Sequence, residues 1–290
     1  MKRIISIILV LLGLLTGCGT NPEPAQIAAT TLPVYEFTSA LCKDTDISVE
    51  QLVTENVSCL HDYTLQVHQM QLLEDAQIVI TSGAGLDSFV ADVLPDTALC
   101  VDASQNAALL CTEVHNEHRH DHQHSDADPH IWLSPENAKI MANNIYNALV
   151  LSYPKYQAVF AENLKQLHSK LYALYSYGKQ ELSNLSSRNC ITFHDGFAYL
   201  ADAFDLHILE AIEEESGSEA SAHEIIELIS LIDTYKITAI FTERNGTASS
   251  AGILHNETGI PVYELDMAMS GDSYFNAMYH NIHTLKEALK

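Results

Sequence analysis

Three histidines and one aspartate lie in loop segments that adjoin predicted helices or strands. His61 and His130 each precede a predicted helix, His194 follows a predicted strand, and Asp272 precedes the last predicted helix. Ligand sites in open α/β sheets lie beyond the carboxyl ends of the strands, so these four side chains could converge in one cleft. Three neutral imidazoles and one carboxylate make a four-coordinate site that suits Zn²⁺. Any one of these histidines alone would more often be an ordinary surface or core residue, so the prediction depends on the set.

A second group of histidines lies in the segment 114–128, which has almost no apolar residues. Its imidazoles alternate with acidic side chains and belong to His115, His118, His120, His122 and His124. This composition cannot form a packed core, so we expect a solvated insertion. The insertion could collect zinc at low affinity for the cleft, or it could be a tolerated loop that binds metal only because imidazoles do. In neither case should the main site require it.

The elements that must position these residues alternate between short β-rich runs and helical patterns, which is typical of parallel βαβ units. In the first half, the predicted strands cover 26–31, 46–53, 77–81 and 98–101, and the helices cover 34–43, 64–75 and 86–93. In the second half, the strands cover 189–193, 205–209, 237–242 and 261–265. The helices there cover 196–204, 222–235, 248–258 and 273–290.

One long amphipathic stretch over 153–187 separates the two halves, with apolar residues recurring at spacings of three and four. More than thirty helical residues would span about 50 Å, enough to run along two lobes and to restrict their opening. A chain of this length also exceeds what one core usually covers. We therefore predict an α/β fold with two small lobes, 27–152 and 188–290. Each lobe has a parallel sheet flanked by helices, and a rigid backbone helix joins them.

The N-terminal residues have the pattern of an export signal. Lys2 and Arg3 precede an apolar run over 4–15, which is too short to span a bilayer comfortably but suits a secretory signal. The small residues before Cys18 resemble the bacterial lipobox. We expect a signal peptide over 1–17, a lipidated Cys18 and a tether over 18–26, which would hold the protein on the extracytoplasmic face of the cell membrane. The alternative is an ordinary signal peptide cut nearby, with Cys18 incidental.

The chain is strongly acidic, with a formal net charge of −24. Such a field repels nucleic acid and anionic lipid and attracts cations, so we expect no nucleic-acid partner. Acidity on its own also serves solubility, and it identifies no ligand.

Five cysteines remain besides Cys18, and an odd number leaves at least one thiol unpaired after export. They are Cys42, Cys59, Cys100, Cys111 and Cys190. Proximity in sequence makes Cys42–Cys59 and Cys100–Cys111 plausible disulfides, although the connectivity cannot be deduced. The absence of a Cys-x-x-Cys pair argues against a thiolate zinc ribbon.

Several segments resemble the zinc- and manganese-specific solute-binding proteins of bacterial ABC importers. Residues 60–63 are similar to the family's Pro-His-x-Tyr element, with leucine in place of proline. Residues 193–199 are similar to its His-Asp-Ala-Phe-Gly-Tyr-Phe segment, and 128–135 is the most specific match. Residues 271–274 resemble its C-terminal ligand segment. The resemblance covers almost the whole chain after the tether.

This resemblance implies a metal site formed from both lobes by His61, His130, His194 and Asp272. In the family the third ligand is typically glutamate in manganese binders and histidine in zinc binders, so His194 favours zinc. The histidine-rich insertion is also similar to that of zinc-specific members. Glu243 lies in a Thr-Glu-Arg segment where the family usually has Glu-Pro-Gln, and we expect it to orient a ligand histidine. The implied partners are a membrane permease and an ATPase.

The predicted function is therefore reversible capture of Zn²⁺ by a monomer, without catalysis, and its transfer to an importer. Three alternatives stay open. The cargo could be manganese or iron. The protein could be a zinc hydrolase, but that needs an open coordination position that Asp272 would close. It could also be a surface adhesin, as members of this lineage have been described, although nothing in this sequence marks an adhesive surface.

Overall fold

The protein contains two parallel β-sheets of four strands each. The structure is a computed structural model that describes residues 26–57, 60, 63–110, 127–212, 220–244, 246 and 249–290. The expected signal peptide, Cys18, His61 and the five histidines of the insertion lie outside these residues.

The N-terminal sheet has the strand order β2-β1-β3-β4. Its strands are β1 (Ile27–Ala29), β2 (Val49–Gln51), β3 (Ile78–Thr81) and β4 (Leu99–Asp102). Every residue of β1 and β3 is buried, as expected for the centre of a parallel sheet covered on both faces. Helices α1 (Leu32–Leu41) and α2 (Val67–Asp75) and a kinked 3-10 helix (Leu86–Val93) connect the strands.

Two long helices follow this sheet. Helix α3 (Pro135–Ser152) begins at Ser134, whose hydroxyl accepts the Asn137 N–H, and helix α4 covers Gln157–Glu181. The prediction of one helical stretch over 153–187 was too long at both ends. Pro154 begins a separate 3-10 turn, and α4 ends at Glu181. Helices α1, α3 and, from the second half, the last helix of the chain all pack on α4.

The C-terminal sheet has the strand order β6-β5-β7-β8. Its strands are β5 (Asn189–Thr192), β6 (His207–Ala211), β7 (Ile240–Glu243) and β8 (Val262–Leu265). Its helices are α5 (Ala198–Phe204), α6 (Ala222–Tyr235), α7 (Ser249–Thr258) and α8 (Tyr274–Ala288). Strand β6 begins two residues later than predicted because Asp205 closes α5 in a left-handed conformation, at φ +59°. The predicted α/β class with two parallel sheets and a long joining helix is confirmed.

One continuous hydrophobic core runs through both lobes, and smaller clusters lie on the outer sides of the two sheets. Gly178 of α4 lets the joining helix approach the C-terminal lobe closely, since a Cβ atom there would lie 2.3 Å from Cε1 of Phe204. A hydrogen bond from the Leu32 N–H to the Met269 carbonyl oxygen, 3.1 Å long, also joins the lobes. The two lobes therefore share one hydrophobic core.

Cys42, Cys100 and Cys190 are free thiols, so neither of the disulfides suggested by proximity forms in this structure. Their suggested partners, Cys59 and Cys111, lie outside the described residues. Burial raises the pKa of Cys42 to about 12 and that of Cys190 also to about 12, which keeps both as unreactive thiols. Across the described part of the chain, no helix is long and apolar enough to cross a membrane.

Candidate metal centre

His130 has the environment of a metal ligand whose orientation is already fixed. It is 2% exposed and caps the short 3-10 turn Ile131–Leu133. One carboxylate oxygen of Asp128 lies 2.8 Å from the His130 backbone nitrogen and 2.8 Å from its Nδ1. This contact places the ring proton on Nδ1. Nε2 is buried without a hydrogen-bond partner among the described atoms, so its lone pair is available to a cation.

His194 reaches the same place from the other lobe. It follows β5, and its ring centroid lies 5.3 Å from that of His130, with the ring planes 79° apart. Its Nδ1 is 3.7 Å from Oε2 of Glu243, which ends the neighbouring strand β7. Each histidine thus has a carboxylate on its Nδ1 side, at hydrogen-bond distance for His130 and farther away, at 3.7 Å, for His194. Carboxylates in this position are typical of histidines that bind metals through Nε2.

Two glycines make room for this arrangement. A Cβ atom at Gly196 would lie 2.6 Å from Cδ2 and 2.8 Å from Nε2 of His194, and 2.5 Å from Cε of Met267. A Cβ atom at Gly246 would lie 2.4 Å from Cγ of Glu243. The absence of side chains at both positions therefore lets His194 and its carboxylate partner take up their places.

Hydrogen bonds across the lobes hold the segment that carries His130. Trp132, the only tryptophan of the chain, donates from Nε1 to the Met267 carbonyl oxygen at 2.7 Å. Its own carbonyl oxygen accepts the Tyr274 hydroxyl at 2.8 Å. The Tyr199 hydroxyl donates to the Asp128 carbonyl oxygen at 2.9 Å. Sequence reasoning missed these residues, because only the fold brings partners 71 to 142 positions apart into contact.

The structure brings together two of the four predicted ligands, His130 and His194. Asp272 is exposed, between Gly271 and the start of α8, and His61 lies outside the described residues. Among the residues that the structure describes, no group of three histidine, cysteine, aspartate or glutamate side chains is arranged to hold a metal ion. The metal-binding roles of all four residues stay predictions.

Two parallel-sheet lobes on a common long helix, with one histidine from each lobe beside the other, define the class of two-lobed solute-binding proteins. Residues 27–288 match the sequence model of the ZnuA family, "Zinc-uptake complex component A periplasmic", and the chain belongs to this family. The family consists of zinc-binding components of importers and not of enzymes.

Individual relatives agree with this assignment. The chain is 28% identical to the zinc-binding lipoprotein AdcA of Streptococcus pneumoniae serotype 4, over 99% of this chain and 61% of AdcA. It therefore spans about three fifths of that relative. A crystal structure of ZnuA is 26% identical, with a TM-score of 0.80, and the match covers 92% of this chain and all of that one. The laminin-binding protein Lmb of Streptococcus agalactiae is 22% identical, with a TM-score of 0.77 over 91% of this chain and 99% of Lmb, and shares the fold.

Proposed function

We propose that this protein captures one Zn²⁺ between its lobes through His61, His130, His194 and Asp272 and delivers it to the permease of an ABC importer. The observation that carries the proposal is the pairing of His130 with His194, because the buried, unpartnered Nε2 of His130 belongs to a ring whose centroid lies 5.3 Å from that of an imidazole from the opposite lobe. Desolvating a nitrogen without a partner is unfavourable, and a metal ion would remove that cost.

The donor set favours zinc over harder cations. Imidazole suits zinc, whereas sites rich in carboxylate and water suit manganese and magnesium. Asp128 and Glu243 would act through the histidines, since each carboxylate lies on the Nδ1 side of a ring and leaves Nε2 to the metal. Glu243 is thus assigned the orienting role expected for it.

Capture requires no bond-breaking chemistry. The imidazoles bind in their neutral form, and the Asp128 carboxylate holds the proton of His130 on Nδ1 before metal arrives. Asp272 would supply the closing carboxylate from the C-terminal lobe. Release to the permease would then depend on the ATPase of the importer.

The same proposal includes the location of the protein. Lipidation of Cys18, followed by the tether up to residue 26, would hold a monomeric binding protein on the extracytoplasmic face of the membrane. The histidines at 115, 118, 120, 122 and 124 would bind further zinc at low affinity. Removing residues 114–126, the part of the insertion that holds all five histidines and leaves Asp128 in place, should therefore lower the total zinc bound at high concentration and leave the tightly bound ion in place.

Metal content and competition on the chain lacking residues 1–18 test this function. We expect one tightly held zinc per chain that excess Mn²⁺ does not displace. The His194→Ala/Asp272→Ala double variant should lose it. His223→Ala, a change at an exposed histidine of α6, is the matched control and should retain it. Tight zinc that survives the double variant would move the binding to the histidine-rich insertion.

A further inference from the structure

The segment that carries Asp272 is attached to the opposite lobe on both sides of that residue. On its N-terminal side, the Met267 and Met269 carbonyl oxygens accept hydrogen bonds from Trp132 Nε1–H and from the Leu32 N–H. On its C-terminal side, the Tyr274 hydroxyl donates to the Trp132 carbonyl oxygen. The chain around Asp272 thus lies in the C-terminal half of the sequence, and hydrogen bonds attach it to the N-terminal lobe on both sides of that residue.

Glu36 of α1 makes the attachment nearest to Asp272. Its Oε2 accepts the Tyr274 N–H at 2.6 Å, and its Oε1 accepts the Ser273 hydroxyl at 3.3 Å. Helix α8 already has a cap of its own, because Ser273 Oγ accepts the Asn276 N–H. A carboxylate from the other lobe, 237 and 238 positions away in sequence, is therefore additional to what the start of α8 requires.

The stretch between the two attachments is short. Only Ser270, Gly271 and Asp272 separate Met269 from Ser273. Gly271 has φ +102°, a conformation that L side chains rarely adopt, and nothing lies within 4 Å of the position of its missing Cβ atom. Because Asp272 directly precedes the two residues that Glu36 holds, the direction in which the chain leaves Ser273 sets where its carboxylate can point.

We propose that Glu36 is a positioning residue for metal retention: by holding Ser273 and Tyr274, it places Asp272 where its carboxylate can close the site over a zinc ion bound by His130 and His194. This inference rests on the proposed function. It assigns to a residue of the N-terminal lobe control over a ligand of the C-terminal lobe, and it gives Glu36 no contact with the metal itself.

The test is a double-variant cycle read as the rate of zinc release into excess chelator. Glu36→Ala should release zinc 10- to 100-fold faster than the parent, the range found when residues that orient metal ligands are changed. Glu36→Gln keeps an acceptor oxygen for the Tyr274 N–H and should recover most of the loss. Asp272→Ala should itself speed release, and adding Glu36→Ala to it should have little further effect, because Glu36 acts through Asp272.

Two controls separate positioning from stability. Glu181→Ala breaks the ion pair with Lys286 elsewhere on α8 and should leave the release rate unchanged. Cobalt substituted for zinc should show a changed d–d absorption spectrum in Glu36→Ala and a parent-like one in Glu181→Ala. If Glu36→Ala does not fold, Glu36→Asp, which keeps the charge and shortens the reach, takes its place in the cycle and should also speed release.

The outcomes are distinguishable. The inference would be overturned if Glu36→Ala speeds zinc release equally in the parent and in the Asp272→Ala background. It would also be overturned if Asp272→Ala speeds zinc release and Glu36→Ala does not. If Asp272→Ala itself leaves zinc retention unchanged, the proposed ligand set fails, and the inference with it. A parent chain that holds no zinc would refute the proposed function as a whole.

Discussion

Replacing Gly196 by alanine should weaken zinc binding without unfolding the protein. The new methyl group would lie 2.6 Å from Cδ2 of His194, about 0.8 Å inside the 3.4 Å at which ordinary contact begins. It would also lie 2.5 Å from Cε of Met267, the far end of a flexible side chain that can give way. The imidazole lies only two residues away, and the Glu243 carboxylate lies behind it, so the ring has to turn or retreat.

The size of the effect follows from the tolerance of a zinc site. Zn–N distances in proteins stay within about 0.2 Å of 2.0–2.1 Å, so a retreat of about 0.8 Å is several times larger than a bound ligand allows. Disturbing the orientation of one ligand typically costs 10- to 100-fold in affinity, or about 1.4–2.7 kcal/mol. Competition against a chelator of known affinity measures this, and urea unfolding of the metal-free chain measures stability beside it.

Gly252→Ala is the matched control, because nothing lies within 4 Å of its missing Cβ atom. Its position in α7 predicts unchanged zinc affinity and up to about 1 kcal/mol of added stability, since alanine favours a helix over glycine. If Gly196→Ala binds zinc like the parent while remaining folded, His194 is either free to move or not a ligand. In both cases our reasoning about the site would be wrong.

The other predictions concern buried groups and metal choice. Burial raises the pKa of Asp87 to about 6 from 3.8. Proton binding to Asp87 therefore stabilises the folded state, and this stabilisation is lost as pH rises through 6. Urea unfolding should find the parent losing roughly 1 kcal/mol relative to Asp87→Asn between pH 5 and 7.5, and equal pH slopes would contradict that pKa. Trp132 lies 5.5 Å from the His130 ring, so zinc should change the tryptophan emission with a one-to-one end point. His130→Ala should abolish this change, and a change that persists would place the metal elsewhere. His194→Glu should shift competition toward Mn²⁺, and an unaltered preference would argue against His194 as the selective ligand.

The elements that could be predicted are those whose signals are local. Helix α6 runs over the predicted residues because Ser221 and Glu224 form a reciprocal cap at its start. Strand β3 was predicted to within one residue because its apolar run is completely buried. Helix α2 begins later than predicted, since Gln66 and Gln69 form a cap that the pattern of apolar residues does not reveal. Helix α3 was anticipated only as a helix after His130, without bounds.

The residues of the candidate site also fall into those that the sequence suggested and those that only the fold reveals. Residue type and loop position made His130 and His194 candidates, and the structure brings their rings together, while their role as ligands stays a prediction. The carboxylate at Glu243 was expected on the basis of the family resemblance. The roles of Gly196 and Gly246 could not be predicted, because a glycine in a loop has many uses and only the approach of a neighbouring side chain decides between them. Asp128 could have been suspected, since an acidic residue two positions before a candidate ligand can reach its Nδ1.

The contacts around Asp128 and Trp132 also decide how far the two histidines can separate. Moving the lobes apart would break the hydrogen bonds of Tyr199 with Asp128, of Trp132 with Met267, and of Tyr274 with Trp132. Each bond is buried, and exchanging one such bond for water costs about 0.5–1.5 kcal/mol, so the three together cost about 1.5–4.5 kcal/mol before any core surface is exposed. That is a substantial fraction of the roughly 5–15 kcal/mol that stabilises a whole domain. The spacing of the histidine pair is therefore held by these hydrogen bonds in addition to the core that the two lobes share.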